Sequence, residues 1–206
     1  MIIDQYKGIF VPIPTPFSES HLAINYEFII KHLKTLGSKG IDGIIIAGFE
    51  GEFPSLSLDE RKSLIEWVMK YRQNLKVIVH VGSPSLMETI SLANFTCDQG
   101  ADALLLSAPD CYGINTEQGV IDFFQRILDQ LDCPAFLYNL PSMHFTDNLI
   151  EEMMHYNYFC GIVNNVPSVS GYGMNKNKYR RIHVLDSNER EMSRTFSNGK
   201  IGRAHV

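Results

Sequence analysis

The chain has 206 residues, of which 45% are hydrophobic and 20% are charged, and its formal net charge is −5. This length suits one hydrophobic core better than two ordinary domains, and the composition is that of a folded globular protein. The mild acidic balance and the scattered basic residues argue against a nucleic acid or an anionic membrane as partner. The composition therefore favours a small-molecule partner.

The chain ends and the cysteines bear on the cellular compartment. The N-terminus lacks the basic and apolar stretches of a signal peptide, and no apolar run approaches the ~20 residues that span a bilayer. Four cysteines are present without a C-x-x-C pair. Cys133 and Cys160 lie in or beside apolar segments and are predicted to be small core residues. These features favour a reducing, cytoplasmic location.

Short apolar segments alternate with amphipathic helical segments along the chain. The predicted strands are apolar on both faces, as in a buried parallel sheet, and they span 8–14, 43–47, 77–81, 103–107, 135–138, 159–163 and 182–185. Helices are predicted at 26–38, after Ser57, from Ser85 toward Gln99, at 116–131 and at 147–155. Ser57 with Glu60 and Ser85 with Glu88 have the spacing of capping boxes.

Repeated strand–helix units predict a parallel sheet, either closed into a (β/α)₈ barrel or open and doubly wound. An open sheet that binds nucleotides would carry a glycine-rich phosphate turn after the first strand, whereas this chain has Thr15-Pro16-Phe17 there. We therefore predict the barrel, with an eighth strand beginning near Gly199 or Lys200. In a barrel the chemistry lies at the carboxyl ends of the strands.

Five strand-end segments, at 8–17, 48–52, 80–82, 100–109 and 137–141, together resemble the dihydrodipicolinate synthase / N-acetylneuraminate lyase family. The resemblance covers about residues 6–200. It implies a class I aldolase, a lyase that acts on a pyruvate-derived keto acid or sugar acid and needs no metal or other cofactor. It also implies a homo-oligomer, usually a tetramer. In the family a lysine on the sixth strand forms a Schiff base, which serves as an electron sink when a C–C bond breaks.

The resemblance assigns roles to individual residues of the second and fifth strand ends. Tyr138 matches the tyrosine of the family's Y-N-x-P motif, which moves protons. Gly48 and Gly51 match the glycines of a loop that binds the substrate carboxylate. The two hydroxyl positions of that loop are Phe49 and Glu50 here. A carboxylate at Glu50 would repel a substrate carboxylate unless the side chain turns away or is protonated; a solvated loop charge is the other interpretation.

The loop after the fourth strand departs further from the family. A tyrosine that relays protons across a subunit contact in the family is Cys111 here, and no histidine is evident as a partner that would make this thiol a nucleophile. Tyr112, one position on, is the candidate to replace that tyrosine as a substrate-binding residue. Met143 occupies a position where some members carry an arginine, as is usual in the lyase-like branch.

The sixth strand carries the largest departure. The family pattern of Gly, an aliphatic residue and Lys is here Gly161-Ile162-Val163, so Val163 occupies the position of the Schiff-base lysine and has no amine. None of the ten lysines lies at the carboxyl end of a predicted strand. Chemistry without a Schiff base would need a metal or another electrophile, and no ligand cluster is predicted because the histidines are dispersed (His80, His144, His155 and His183).

Two functions therefore remain open. The first is a lyase of the family. The second is a catalytically silent relative that serves as a small-molecule binding or structural subunit.

Family members continue past the eighth strand with several more helices. The predicted fold is therefore one barrel domain over residues 1–200, incomplete at the C-terminus, with a partial eighth strand and the C-terminal helices missing. Residues 201–206, Ile-Gly-Arg-Ala-His-Val, are also what one reading frame of a common sequencing adapter encodes. We expect them to be a non-native tail, with a coincidental tail as the alternative.

Overall fold

The computed structural model of the protein describes residues 5–19, 23–109, 115–142, 144–165, 181–186 and 201–202. Its eight strands pair in parallel, each with the next along the chain, in one sheet. The strands are β1 (Phe10–Pro12), β2 (Gly43–Ile46), β3 (Lys76–His80), β4 (Ala103–Leu106), β5 (Ala135–Asn139), β6 (Phe159–Asn164), β7 (His183–Asp186) and β8 (Ile201–Gly202). The seven predicted strands are confirmed. The curled parallel sheet with its helices is consistent with a partial (β/α)₈ barrel.

Five described helices alternate with the strands. They are α1 (Tyr26–Gly37), α2 (Leu58–Tyr71), α3 (Leu86–Asp98), α4 (Glu117–Leu128) and α5 (Asp147–Met153). Each helix packs against the next one along the chain, which is the arrangement of an outer ring around a barrel. None of these helices combines the length and the apolar character that a membrane crossing requires.

The predicted capping boxes have different outcomes. At α2, Glu60 N donates to Ser57 Oγ (3.2 Å) and Ser57 N donates to Glu60 Oε2 (2.8 Å), which confirms the box. At α3, Glu88 N donates to Ser85 Oγ (3.3 Å), but the carboxylate of Glu88 accepts from Ser83 Oγ instead (2.8 Å). The second box is therefore wrong in its reciprocal half, because Ser85 N donates to Ser83 Oγ (3.2 Å) instead of to the Glu88 carboxylate.

Alternate strand residues pack into two separate apolar clusters. The outer cluster joins strand residues such as Ile44, Leu104 and Leu137 to the helices. The inner cluster contains no residue of α1 to α5 and includes Ile45 and Leu105, the neighbours of those outer residues along β2 and β4. Because side chains alternate across a strand, the inner cluster is the filling of the barrel.

The cysteines depart from the prediction. Cys97 and Cys133 form a disulfide with a Cα–Cα distance of 6.1 Å, so Cys133 is not a free core residue. The two residues are 36 positions apart, and only the packing of the end of α3 beside the segment before β5 brings them together. Cys160 is free and buried, as predicted.

The eighth strand begins one or two residues later than predicted. Ile201 pairs with Leu185, and Gly202 pairs with Asp186. These two residues belong to the segment that we expected to be foreign to the fold, and the boundary at residue 200 stays a prediction.

Candidate active site

Four side chains of the inner layer lie at the carboxyl ends of successive strands. Along β3, β4 and β5 the inner-facing positions Ile78, Leu105 and Phe136 are each followed two residues later by His80, Ser107 and Tyr138. Val163 of β6 belongs to the same inner cluster as Tyr138. The mouth of the barrel, which we define by His80, Ser107, Tyr138 and Val163, is therefore where the fold would place chemistry.

Tyr138 of β5 and Val163 of β6 are direct neighbours on adjacent strands. They are register partners in the parallel pairing of β5 with β6. Tyr138 is 2% exposed, and Val163 is fully buried. Adjacent strands lie about 4.8 Å apart, so a long side chain at position 163 would lie beside the ring of Tyr138. Tyr138 and the residue that the sequence resemblance assigns to the lysine position thus share one inner surface.

An irregularity in β6 sets this register. Ala135 pairs with Phe159, but the next residue, Phe136, pairs with Gly161, so the ladder skips one residue of β6. Gly161 has φ +150°, and a Cβ there would lie 2.0 Å from the carbonyl oxygen of His183 on β7. A β-bulge at a barrel strand re-aims the side chains that follow it. Here it turns Val163 toward the inside.

The loop after β2 is tightly folded. Ala47 and Glu52 both have left-handed backbone conformations, with φ of 50° and 54°. Gly51 N donates to the carbonyl of Gly48 (3.1 Å), and the hydroxyl of Thr15 donates to the carbonyl of Gly51 (2.7 Å). A Cβ at Gly51 would lie only 3.1 Å from Ala47 N, so the glycine permits the close approach. This loop fixes where Phe49 and Glu50 lie.

Phe49 covers the mouth with an aromatic ring. Its side chain is 43% exposed, and its ring centroid lies 5.6 Å from that of Tyr138. The ring is also 6.3 Å from His80 and 5.3 Å from Phe53. These distances are typical of aromatic pairs that attract one another. Where the resemblance implies a hydroxyl for a carboxylate, the chain therefore presents an apolar ring.

Glu50 does not extend into solvent as a surface charge would. The residue is half-buried, and its Oε2 atom is buried. That oxygen lies 3.4 Å from where a Cβ at Gly48 would be, so the carboxylate folds back over its own loop. The carboxylate is therefore less exposed to water than an ordinary surface charge, and its role toward a substrate stays a prediction.

His80 and Ser107 form a buried polar pair that the sequence did not predict. His80 Nε2 lies 2.9 Å from Ser107 Oγ, and the imidazole is fully buried. Burial, followed by the positive charge of Arg61, lowers the pKa of His80 to about 3, so the ring is neutral at physiological pH. Gly82 makes room for this pair, because a Cβ there would lie 2.4 Å from Ser107 Oγ. The sequence feature that could have identified this pair is that both residues lie at the ends of consecutive predicted strands.

Arg61 of α2 closes the end of β3 from outside. Its guanidinium donates to the carbonyl oxygens of His80 (2.8 Å) and Gly82 (3.0 Å), and it lies 5.5 Å from the ring centroid of Phe53. Arg61 is 5% exposed, and burial lowers its pKa to about 10, which leaves it protonated near neutrality. It therefore holds the backbone that carries His80.

A buried amide pair holds the ends of β5 and β6 together. Asn139 Nδ2 donates to Asn164 Oδ1 (2.7 Å), and Asn139 Oδ1 accepts from Phe145 N (2.8 Å). The backbone of Asn165 also donates to the carbonyl of Asn139 (2.9 Å). Asn139 is the asparagine of the Y-N-x-P motif, and its bonds fix the backbone directly after Tyr138.

The candidate residues thus separate into three groups. Tyr138, Val163 and Phe49 meet at the mouth, and Gly48, Glu50 and Gly51 form the loop beside it. Tyr112, together with Cys111 and Met143, falls outside the described residues.

Each lysine in the described ranges lies on α1 or α2 or at the amino-terminal side of the sheet, away from the mouth. Lys76, the first residue of β3, lies 5.8 Å from the ring centroid of Tyr6. Lys176, Lys178 and Lys200 lie outside the described residues.

Comparison with known proteins gives consistent matches across the chain. A family model described as the dihydrodipicolinate synthetase family matches residues 5–204. An uncharacterized DapA-like lyase of Chloroflexus aurantiacus is 28% identical over 203 residues, covering 95% of this chain and 68% of the relative. A 4-hydroxy-tetrahydrodipicolinate synthase of Methanococcus aeolicus is 36% identical over 153 residues, covering 74% of this chain and 52% of the relative.

Solved structures share the architecture. A dihydrodipicolinate synthase superposes with a TM-score of 0.88 at 27% identity, covering 98% of this chain and 70% of that one. An N-acetylneuraminate lyase from Mycoplasma synoviae has the same fold, with a TM-score of 0.88 at 21% identity over 98% of this chain and 69% of its own. The matches cover about half to about two thirds of the length of these relatives.

Proposed function

Because the chain belongs to the dihydrodipicolinate synthetase family, we propose that it is a relative of the family's lyases without imine chemistry. In this proposal the barrel serves as a small-molecule binding or structural subunit, and any ligand is a small keto acid or sugar acid at the mouth. The observation that carries it is the inner-facing, fully buried Val163 beside Tyr138.

The chemistry of the class I reaction explains why this one position decides. A ketone becomes an electron sink only when an amine condenses with it, and the iminium then stabilises the carbanion left by C–C cleavage. Tyr138 could still move a proton, but without the iminium no carbanion is stabilised. Val163 offers only methyl groups there. The proposal rests on the lack of an amine that could form the iminium. It does not depend on whether the phenol of Tyr138 can still transfer a proton.

The loop after β2 supports the same proposal. Phe49 presents a ring toward Tyr138, and the half-buried carboxylate of Glu50 lies in the segment that would otherwise meet a substrate carboxylate. Two carboxylates partly withdrawn from water repel each other by several kcal/mol. Binding of a keto acid in the orientation used by the lyases is therefore weakened as well.

Borohydride trapping tests the proposal directly. The protein is incubated with pyruvate, reduced with borohydride and weighed as an intact chain. We expect no reduced pyruvyl adduct on the unaltered chain, because no amine is available at position 163. An adduct mapped by peptide mass spectrometry to any lysine would overturn the proposal.

A matched pair of variants calibrates this assay. Val163→Lys places an amine beside Tyr138, and burial lowers the pKa of a lysine, which makes part of it nucleophilic near neutrality. We expect a trapped adduct at residue 163. Val163→Met fills the same space with an unbranched chain of similar length and no amine, and it should trap nothing. Circular dichroism of both variants verifies that they are folded.

The competing function is a keto acid or sugar acid lyase, which the names of the relatives favour. It requires an amine from elsewhere in the chain, and the lysines outside the described ranges are Lys176, Lys178 and Lys200. Peptide mapping of the trapping reaction assigns an adduct to one of these three if this function is correct. Self-association, which we propose by family resemblance, is measured separately by sedimentation velocity.

A further inference from the structure

A second group of reactive side chains lies at the amino-terminal side of the sheet, away from the mouth. Cys97 is in the last turn of α3, and Cys133 lies two residues before β5 begins. The carboxylate of Asp132 lies beside the two cysteines, and the three potential ligand atoms lie within 4.8 Å of one another. Tyr138 is five residues beyond Cys133, which is about 16 Å along an extended strand. The group is therefore separate from the candidate active site.

We propose that Cys97, Cys133 and Asp132 bind one thiophilic divalent cation, such as Zn²⁺, when the disulfide is reduced. Two thiolates and one carboxylate are a donor set that suits zinc, and water would complete four-fold coordination. The sequence alone does not predict this site, because its two cysteines are 36 positions apart and belong to different strand–helix units.

The geometry allows the same residues to serve both states. A Zn–S bond of about 2.3 Å in a tetrahedral site places two sulfurs roughly 3.8 Å apart. The Cα–Cα distance of 6.1 Å accommodates that separation by rotation of the two short side chains. The cysteines are half-buried and Asp132 is exposed, so a reductant and a hydrated ion both have access.

The change of state balances without an unnamed partner. A thiol or phosphine reductant gives two electrons to the disulfide, the S–S bond breaks, and each sulfur takes up a proton. The cation then displaces these two protons and binds the thiolates, while the carboxylate of Asp132 supplies further negative charge. In both states the end of α3 stays linked to the segment before β5. The cation would therefore keep under reducing conditions the cross-link that the disulfide makes under oxidising ones.

The experiment compares the two redox states of the unaltered full chain. One sample is reduced with a phosphine and freed of reductant without oxygen, and the other is left oxidised. Both are titrated with Zn²⁺ against a chromophoric chelator and weighed by native mass spectrometry. We expect one zinc ion per reduced chain, with two protons lost, and no tight binding by the oxidised chain. Equal binding by the two samples, or none by the reduced one, overturns the proposal.

Variants then assign the ligands. Cys97→Ser and Cys133→Ser should each abolish stoichiometric binding, and Asp132→Asn should weaken it by at least tenfold. Asp98→Asn removes an exposed carboxylate next to Cys97 in sequence but outside the ligand group, and it should leave the affinity within twofold of the original. Co²⁺ gives a second readout, because a thiolate charge-transfer band appears only if sulfur binds the metal. Binding that persists in both serine variants contradicts the assignment.

Discussion

Replacing Arg61 with methionine tests whether a buried guanidinium stabilises the barrel through backbone carbonyls. Arg61→Met removes hydrogen bonds to the carbonyls of His80 and Gly82 but keeps an unbranched apolar chain against Phe53. A hydrogen bond involving a charged group contributes about 1.5–3 kcal/mol, so two contribute roughly 3–6 kcal/mol. Relief of the desolvated charge offsets part of this loss. We expect a net destabilisation of about 3 kcal/mol.

Equilibrium unfolding in urea measures this change. Trp67, the single tryptophan, lies on the same helix as Arg61 and is stacked on Tyr26 and Tyr71, so its fluorescence reports the loss of α2 packing. For a chain of this size each kcal/mol lowers Tm by about 2–4 °C, which predicts a drop of roughly 6–12 °C.

The control is Arg72→Met, at the C-terminal end of the same helix. Arg72 forms an ion pair with Asp102 at 2.6 Å, but about a third of its side chain is exposed, so we expect a loss below about 1 kcal/mol. If the two variants lose equal stability, the buried contacts to the β3 carbonyls carry no special weight and the reasoning fails.

Three further comparisons test a buried glycine, the buried histidine and a helix cap. Gly161→Ala should prevent folding, because its Cβ would collide with a carbonyl of β7, whereas Gly40→Ala, with φ +73° and open space around it, should cost about 1–2 kcal/mol; circular dichroism and thermal melts compare them. Burial lowers the pKa of His80 to about 3, so between pH 6.5 and 3 only the unfolded chain binds this proton. Stability should therefore fall as pH drops through that window, by up to about 1.4 kcal/mol per unit, and His80→Gln should make the fall shallower in urea unfolding at pH 7 and pH 5. Ser57→Ala should cost about 1 kcal/mol and more than Ser85→Ala, since only Ser57 has both halves of its capping box, and equal losses in thermal unfolding would contradict this.

The strands could be predicted because a parallel sheet covered on both sides needs continuous apolar segments. Residues 43–47 and 103–107 were predicted to within one residue of β2 and β4 for this reason. The prediction for β1 was too long at both ends. Gly8 has φ +117°, which a strand does not use, and Pro14 has no N–H for the ladder. Local patterns thus locate strands well and their ends less well.

The residues of the candidate site could be chosen from the sequence, but their arrangement could not. The motif identified Tyr138, and its pairing with Val163 depends on a skipped residue in β6 that leaves no local signal. The contact between His80 and Ser107 joins positions that are 27 residues apart in the sequence. Arg61 is charged and would be expected at the surface, but it is buried and donates its hydrogen bonds to backbone carbonyls. Such contacts depend on how strands and helices pack in three dimensions. A short segment of a single sequence carries no pattern that predicts this packing.

The skipped residue in β6 also bears on how the family could gain or lose activity. Glycine geometry and the β7 backbone determine that position 163 faces inward beside Tyr138, and neither depends on which side chain occupies it. One replacement at position 163 could therefore add or remove an amine there without rebuilding the barrel. The side chain at position 163 can therefore change in evolution while the barrel backbone stays the same. For the same reason, position 163 is a practical starting point for engineering.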